Sequence, residues 1–214
     1  HLEHRRQRQM CIRDSHIMVL PVDVNHSSWD HQILSSADQQ QPPIRLGLRL
    51  IKGLSEAAGQ RIHTAQRQRA FANVADLRQR ACLDRGDMEA LAAADALSGI
   101  SGNRYQSHWQ TMALEAHRPL LPHDSAAQRS QDDAAVTAAP TLPEDVVADY
   151  QSTGLTLRSH PLTLLRHQPP FDRCRRQTEL ETLGNHRFVR GAGLVTCRQR
   201  PGTASGVVFL TLED

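Results

Sequence analysis

Residues 48–62, LRLIKGLSEAAGQRI, constrain the fold more than any other stretch of the chain. Apolar residues lie one helical turn apart before a Gly-Leu-Ser break, and the apolar spacing resumes as far as Ile62. This spacing predicts two short helices joined by a tight turn, which is the helix-hairpin-helix pattern. Two positions depart from the usual form of that pattern: Ser55 replaces its second glycine, and Gly59 replaces its small alanine.

Such a turn is suited to binding an anion. A glycine lets the backbone come close to a phosphate, and the second helix starts there with unpaired N–H groups and a positive dipole end. Contacts of this kind hold duplex DNA by its backbone without reading its sequence. The alternative is an ordinary structural turn between two packed helices. The predicted DNA-binding residues are Lys52, Gly53, Leu54 and Ser55 at the phosphate, Arg49 and Arg61 as flanking charge, and Gly59 for close helix packing.

A second, degenerate hairpin is predicted in residues 76–97, with LDRGDMEAL as its turn and Asp84 as the N-cap of the following helix. Its glycine pattern is poor, so its predicted role is structural, pairing with the first hairpin in a four-helix unit. From Arg45 to Arg104 there are ten basic and six acidic residues, a net charge of +4. That excess is weaker than the one expected of a stand-alone DNA-binding protein.

The flanking stretches differ in composition from the helical region. Residues 16–25 are β-branched and apolar and predict a short strand. Residues 115–149 are rich in Ala, Pro, Ser and Asp and carry a net charge of −5, which is typical of a linker. A helix is predicted to restart within PEDVVADYQSTG, with Pro143 near its first turn and Gly154 as its stop.

The last part of the chain has the two-residue period of β-strands. HRFVRGAGLVTCRQRP and GVVFLTLED read as two strands joined by the turn PGTASG, and from Arg158 to Arg200 nine arginines face three acids. The first hairpin of an oligonucleotide-binding barrel, an OB-fold, has this form, and its loop meets nucleic acid. Arg198 and Arg200 are therefore predicted to contact single-stranded DNA. The alternative is an edge hairpin of any β-barrel with solvated arginines.

Other groups of polar residues give no ground for an active site. His26, Asp30 and His31 are of metal-binding types, but twelve histidines are scattered through the chain, so such a cluster arises by chance. Ser27 and Ser28 lack the Gly-x-Ser-x-Gly turn of an activated serine.

Composition also bears on the compartment. Four cysteines are scattered without a metal-type pair, which fits a reducing cytoplasm. No apolar run approaches about 18 residues, so no membrane span is predicted. Because MCIRDS resembles the translation of a sequencing adapter, residues 1–15 are predicted to be an assembly artefact. The alternative is a genuine arginine-rich arm.

Four stretches, in this order, closely resemble the C-terminal half of bacterial C-family DNA polymerases: VLPVDVNHSSWD, RLGLRLIKGLSEAAGQRI, PEDVVADYQSTGLTLRSHPL and GLVTCRQRPGTASGVVFLTLED. DVNHSSWD and CRQRPGTASGV point to the error-prone branch, the damage-induced relatives of the replicative DNA polymerase III alpha subunit. The resemblance covers roughly residues 18–214, apart from the linker.

The resemblance implies a domain map and a fold class. The fold class is a mixed, multi-domain fragment, mainly an α-helical tandem helix-hairpin-helix domain plus the first strands of an incomplete OB-fold β-barrel. The implied domains are the end of the polymerase fingers region (16–43), the tandem helix-hairpin-helix domain (44–112), a linker (113–143), a helical connector (144–186) and the start of a truncated OB-fold (187–214).

The resemblance implies a function as well. In this family, palm aspartates hold two Mg²⁺ ions for attack of the primer 3′-hydroxyl on the nucleotide, and the palm would lie outside this chain. We therefore predict a fragment of an error-prone DNA-directed DNA polymerase for translesion synthesis and damage-induced mutagenesis, with no catalytic residue, metal site or cofactor of its own.

The implied partners follow from that function. They are duplex primer–template DNA, single-stranded template at the OB-fold and, for the full-length protein, the sliding clamp and mutagenesis accessory proteins, without a membrane and in the cytoplasm. The alternative function is a non-enzymatic DNA-binding or scaffold module built from helix-hairpin-helix and OB-like elements.

Overall fold

The structure is a computed structural model, and it describes residues 17–35, 41–114, 138–202 and 206–214. The predictions for residues 1–15, for most of the linker and for the centre of the PGTASG turn concern residues outside these ranges. The chain divides into two compact units, one of residues 17–157 and one that contains residues 158–214. The finer domain limits predicted from the sequence stay predictions. Among the described helices, none is long and apolar enough to cross a membrane.

The first unit is mainly helical, which confirms the helical period predicted from the sequence. Breaks fall at the glycine turn, before and after the second helix, and around Gly102, and four of the helices begin after a residue whose side chain supplies a capping oxygen: Ser55, Asn73, Asp84 and Asn103. The helices are α1 (Glu56–Gln68), α2 (Val74–Arg80), α3 (Arg85–Ala93), α4 (Ser98–Ser101), α5 (Arg104–Ala113) and α6 (Leu142–Ser152).

Three of the local predictions in this unit are confirmed. Asp84 is the N-cap of α3, and its Oδ1 accepts a hydrogen bond from the Asp87 amide at 2.8 Å. Pro143 lies in the first turn of α6, where its missing N–H costs nothing. Gly154 follows the end of α6 with a φ of +83°, a left-handed conformation that favours glycine.

The arm before the first turn is a shorter helix than the spacing suggests. Residues Leu48–Leu50 form a single 3₁₀ turn, and Ile51 is already extended. The amide of Leu48 donates to the Ser28 carbonyl at 2.9 Å, and the amide of Arg49 donates to the Trp29 carbonyl at 3.0 Å. These bonds to the preceding loop take the place of helical ones, and this is why the arm stays short.

A small sheet precedes the hairpin. It consists of β1 (Val19–Leu20), β2 (Gln32–Ile33) and β3 (Ile44–Arg45), with β3 in the middle, parallel to β1 and antiparallel to β2. The strand predicted in residues 16–25 is therefore present but only two residues long. It ends at Leu20, before Pro21, which has no amide to donate, and a turn at residues 23–27 follows.

One hydrophobic core holds the helices of this unit together. Its largest fully buried side chains come from the 3₁₀ turn, from α1, α2 and α3, and from the segment before α4. Burial of such side chains is the main stabilising term in a unit of this size. These residues are Leu48, Ile62, Leu77, Met88, Leu91 and Leu97.

The second unit contains two short helices and a β-hairpin. The elements are α7 (Pro161–Leu165), a 3₁₀ turn (Phe171–Arg173), α8 (Gln177–Glu181), β4 (Leu194–Gln199) and β5 (Phe209–Glu213). The two strands are antiparallel, as predicted, although β4 begins later than Arg187. The apolar side chains of β5, Phe209, Leu210 and Leu212, are each about half exposed. A two-stranded sheet is described here, and an OB-fold stays a prediction.

Candidate nucleic-acid interface

The turn at residues 51–54 has the geometry that its glycine predicts. Gly53 has a φ of +88°, and the amide of Leu54 donates to the Ile51 carbonyl at 3.4 Å. A Cβ at residue 53 would meet nothing closer than Ala90 Cβ at 3.8 Å, so the backbone conformation, rather than space, requires glycine here. Leu54 is buried and fixes the turn to the core, while its neighbours on both sides are exposed.

The N-terminus of α1 presents unpaired donors beside this turn. Ser55 is its N-cap, and Ser55 Oγ accepts a hydrogen bond from the Ala58 amide at 3.1 Å. Within the described ranges, no hydrogen bond uses the amides of Gly53, Ser55, Glu56 or Ala57, and these four residues are exposed. A helix of 13 residues therefore begins with open N–H groups and its positive dipole end at the surface.

The ammonium group of Lys52 lies at the C-terminal end of helix α6. Its Nζ donates to the carbonyls of Tyr150 at 2.9 Å and Gln151 at 2.6 Å, and its amide donates to the Ser152 carbonyl at 2.8 Å. A cation at the C-terminus of a helix is favourable because the last carbonyls carry a partial negative charge. Sequence reasoning missed this contact because its partners lie almost one hundred residues away.

The two arginines predicted as flanking charge differ in their surroundings. Arg49 pairs with Asp30 at 2.6 Å on an exposed surface. Arg61 donates from Nε to the Ala81 carbonyl at 2.9 Å and reaches Asp87 at 3.4 Å, so it ties α1 to the end of α2 and to α3. Burial raises the pKa of Asp87, and the nearby carboxylate of Asp84 raises it further.

Gly59 is the residue of α1 against which the ring of Trp29 packs. A Cβ at this position would lie 2.4 Å from Cε3 of the Trp29 ring. The close neighbour is therefore an indole from the preceding loop.

Most of the basic residues of this region are bound to the protein itself. Of the ten between Arg45 and Arg104, Arg67 is the only one without a side-chain bond in the part of the chain that the structure describes. Most of the basic side chains that give this region its net charge of +4 therefore already form bonds within the protein. The nine others, each with a carbonyl or carboxylate partner, are Arg45, Arg49, Lys52, Arg61, Arg69, Arg78, Arg80, Arg85 and Arg104.

The loop DVNHSSWD supports the hairpin. Ser27 is fully buried, and its Oγ donates to the Leu46 carbonyl at 2.7 Å. Nδ1 of His31 accepts a hydrogen bond from the Gly47 amide at 3.0 Å. A Cβ at Gly47 would lie 2.4 Å from the backbone carbon of Asp30, so glycine is needed for this contact. Residues of metal-binding type thus serve packing here, and the described ranges hold no group of three or more His, Cys, Asp or Glu placed to bind a metal ion.

The second unit carries the other predicted contacts. Arg198 and Arg200 are exposed, and no ion pair or side-chain hydrogen bond of either is found among the described residues. Arg198 stands opposite Leu210 in the hairpin, and Gln199 stands opposite the exposed ring of Phe209. Two cations and an aromatic side chain therefore belong to one end of the hairpin.

The helical unit defines the class of the protein. A family profile described as a helix-hairpin-helix motif matches residues 16–107. That range includes the glycine turn, α1 and the hairpin formed by α2 and α3. The first unit is therefore a helix-hairpin-helix domain.

Whole-chain comparisons give named relatives. Proteins named error-prone DNA polymerase match from Saccharophagus degradans (47% identity over 201 residues, 92% of this chain), Teredinibacter turnerae (47% over 200 residues, 92%) and Ralstonia nicotianae (47% over 207 residues, 94%). Each match covers 19% of the relative, so the chain spans about a fifth of the length of these curated relatives. The chain is therefore a homologue of one part of proteins named error-prone DNA polymerase.

Proposed function

We propose that this chain is a segment of an error-prone DNA-directed DNA polymerase and that its first unit grips duplex primer–template DNA by the phosphate backbone. The names of the relatives and the helix-hairpin-helix match support this proposal. The single observation that carries the grip is the exposed N-terminus of α1, where the amides of Gly53, Ser55, Glu56 and Ala57 have no partner in the described residues.

The grip would work through the backbone. Open amides and the positive end of α1 attract a phosphate, and the left-handed Gly53 lets the DNA backbone come close. Lys52 has one ammonium N–H left over from its two bonds to α6, and that donor is available to the phosphate. Arg49 supplies exposed charge beside the turn. Because such contacts reach only phosphates, binding is expected to be independent of DNA sequence.

Arg61 and Gly59 would act indirectly. Arg61 holds α1 against the carbonyl of Ala81, and Gly59 admits the ring of Trp29, so both fix the orientation of the helix that carries the open amides. The hairpin of α2 and α3 would be the second member of a tandem pair. Its turn uses Cys82 at a φ of +49° instead of glycine, and this favours a supporting role.

The second unit would begin an OB-fold that meets single-stranded template. Arg198 and Arg200 would contact phosphates of the single strand.

Catalysis would belong to the rest of the full-length protein. Polymerisation by the two-metal mechanism needs aspartates that hold Mg²⁺, and the described residues do not fit that requirement. No step of the reaction is therefore assigned to this chain. Translesion synthesis, damage-induced mutagenesis, the clamp, the accessory proteins and the cytoplasm belong to the proposal for the full-length protein.

Fluorescence anisotropy with labelled duplex DNA tests the grip. The 214-residue chain is titrated across a salt series, beside Lys52→Glu and the matched control Arg85→Glu, which makes the same charge change on α3. If the hairpin holds a phosphate, Lys52→Glu weakens binding about tenfold and makes the salt slope shallower by about 1, while the control changes little.

Two results would count against this proposal. Equal losses in both variants would mean that only the overall charge matters, and the turn would then be structural. Binding by the unaltered chain that does not respond to salt would remove the phosphate grip altogether.

A further inference from the structure

Helix α6 is part of the same compact unit as the hairpins, although residues 114–141 separate it from α5 along the chain. Its last residues meet the hairpin directly. Both the ammonium and the amide of Lys52 donate to its final carbonyls, at distances of 2.6–2.9 Å. The residue next to the glycine turn is thus held at three points by α6.

A buried arginine docks this helix. Arg104 at the start of α5 is 6% exposed, and its guanidinium pairs with the carboxylates of Asp149 and Asp145 on α6. It also donates to the carbonyl of Asp145 at 3.3 Å. Thr156 completes the group by donating from Oγ1 to the second carboxylate oxygen of Asp149 at 2.7 Å. A buried charge needs its partner, so the docking of α6 depends on Asp149.

We propose that α6 is a positioning element of the DNA grip, with Arg104 and Asp149 as positioning residues that act through Lys52. This inference rests on the proposed function, and it adds α6 to the elements that hold the DNA. A lysine on a flexible stem loses rotamer freedom when it binds a phosphate, and a lysine already held in place loses less. The carbonyls of α6 hold two of the three ammonium N–H groups and leave one for the phosphate.

Asp149→Asn tests the positioning role because charge alone predicts the opposite result. The change removes one negative charge, which by itself strengthens binding to DNA. If α6 positions Lys52, the variant instead binds duplex DNA several-fold more weakly, and its salt slope is shallower by about 1. Glu89→Gln on α3 removes the same charge from an exposed pair with Arg85 and is expected to bind as well as the unaltered chain or slightly better.

A second experiment distinguishes positioning of Lys52 from a general loss of rigidity in the first unit. In a Lys52→Met background the phosphate contact of the lysine is already gone, so adding Asp149→Asn should cause no further loss. Equal losses in both backgrounds would mean that Asp149 does not act through Lys52 and would overturn the proposal. Unchanged or tighter binding by Asp149→Asn alone would overturn it as well.

Separate control measurements test whether each variant folds and whether the unaltered chain binds DNA as proposed. Circular dichroism shows whether each variant folds, and if Asp149→Asn does not, the milder Thr156→Val carries the same test by removing one bond to Asp149. The unaltered chain is measured first. If its binding does not respond to salt, the proposed function fails; if it responds and Asp149→Asn or Thr156→Val has no effect, only the positioning role fails.

Discussion

The indole ring of Trp29 lies directly against the backbone of Gly59 on α1, and it leaves no room for a Cβ at that residue. Gly59 is buried, and Trp29 belongs to the loop whose carbonyls accept bonds from the 3₁₀ turn. We expect Gly59→Ala to destabilise the first unit by about 1–3 kcal/mol, because the ring must shift within a packed core. Urea denaturation followed by circular dichroism measures the change in the free energy of unfolding.

Gly86→Ala is the matched control for that variant. Gly86 lies in α3 and is exposed, and its nearest neighbour would be Asp84 Oδ1 at 3.4 Å from the new Cβ. Here alanine is expected to stabilise by up to about 1 kcal/mol, because the helix loses a flexible glycine. A gain in stability for Gly59→Ala as well would show that the ring does not restrict that position.

Arg80 holds the C-terminal end of α1. Its Nη2 donates to the carbonyls of Ala65 at 2.5 Å and Arg69 at 2.8 Å, and the guanidinium lies 4.8 Å from the centroid of the Phe71 ring. Arg80→Lys is expected to cost about 1–3 kcal/mol of unfolding free energy, since an ammonium cannot make this set of planar contacts. Arg67→Lys, at a residue with no such partner among those that the structure describes, should change stability by less than about 0.5 kcal/mol. Similar costs for the two variants would contradict the role given to Arg80.

The N-terminal cap of α6 should respond to pH. Hydrogen bonds from the amide and hydroxyl of Thr141 lower the pKa of Glu144 below its ordinary value of 4.5. A carboxyl group whose pKa is lowered in the folded state stabilises that state when the pH is above the group's ordinary pKa. This stabilisation is lost as the pH falls through the pKa of the folded state. We expect the amide NMR signal of Thr141 to shift as the pH falls below 4.5 and to lose this response in Glu144→Gln. A single-residue signal is needed because the raised pKa of Asp87 gives the opposite trend: its contribution is present at low pH and is lost as the pH rises.

The second unit should contribute to binding of single strands. In the full chain, Arg198→Ala with Arg200→Ala is expected to make the salt slope for a labelled single-stranded oligonucleotide shallower by about 1.4, which corresponds to two phosphate contacts. Arg187→Ala with Arg190→Ala is the matched control, because it removes the same charge outside β4. An equal effect of the two pairs would contradict a specific role for the hairpin.

The 214-residue chain should not extend a primer. Because the described residues include no cluster that could hold a metal ion, incubation with primer–template DNA, nucleotides and Mg²⁺ should give no product above a blank. Denaturing gel electrophoresis of a labelled primer measures this. Extension that survives repeated purification would refute the proposal that catalysis belongs elsewhere.

The sequence was sufficient for features that depend on a few neighbouring residues. The glycine turn, the Asp84 cap and the limits of α6 follow from local backbone preferences and capping bonds, and these act within one helical turn. The arm before the turn is a single 3₁₀ turn and is shorter than the spacing suggests, because two of its amides bond to a loop twenty residues earlier.

The contacts of the charged side chains could not be predicted in the same way. The partners of Lys52 and Arg104 lie 41 to 99 residues away, and no local pattern indicates them. The sequence shows how many arginines the chain has, whereas the structure shows that most in the first unit are already paired. The predicted phosphate-binding role of each candidate residue therefore stays a prediction until it is measured.

The bonds between Lys52 and α6 have a consequence for folding during synthesis. They join residues 98 to 100 positions apart, so the ribosome must complete α6 before they can form. The hairpins have local contacts and can form early. Until Asp145 and Asp149 have been synthesised, the guanidinium of Arg104 remains solvated. We therefore expect the domain to pass through a nearly complete state in which the glycine turn exists but its lysine is still free to move.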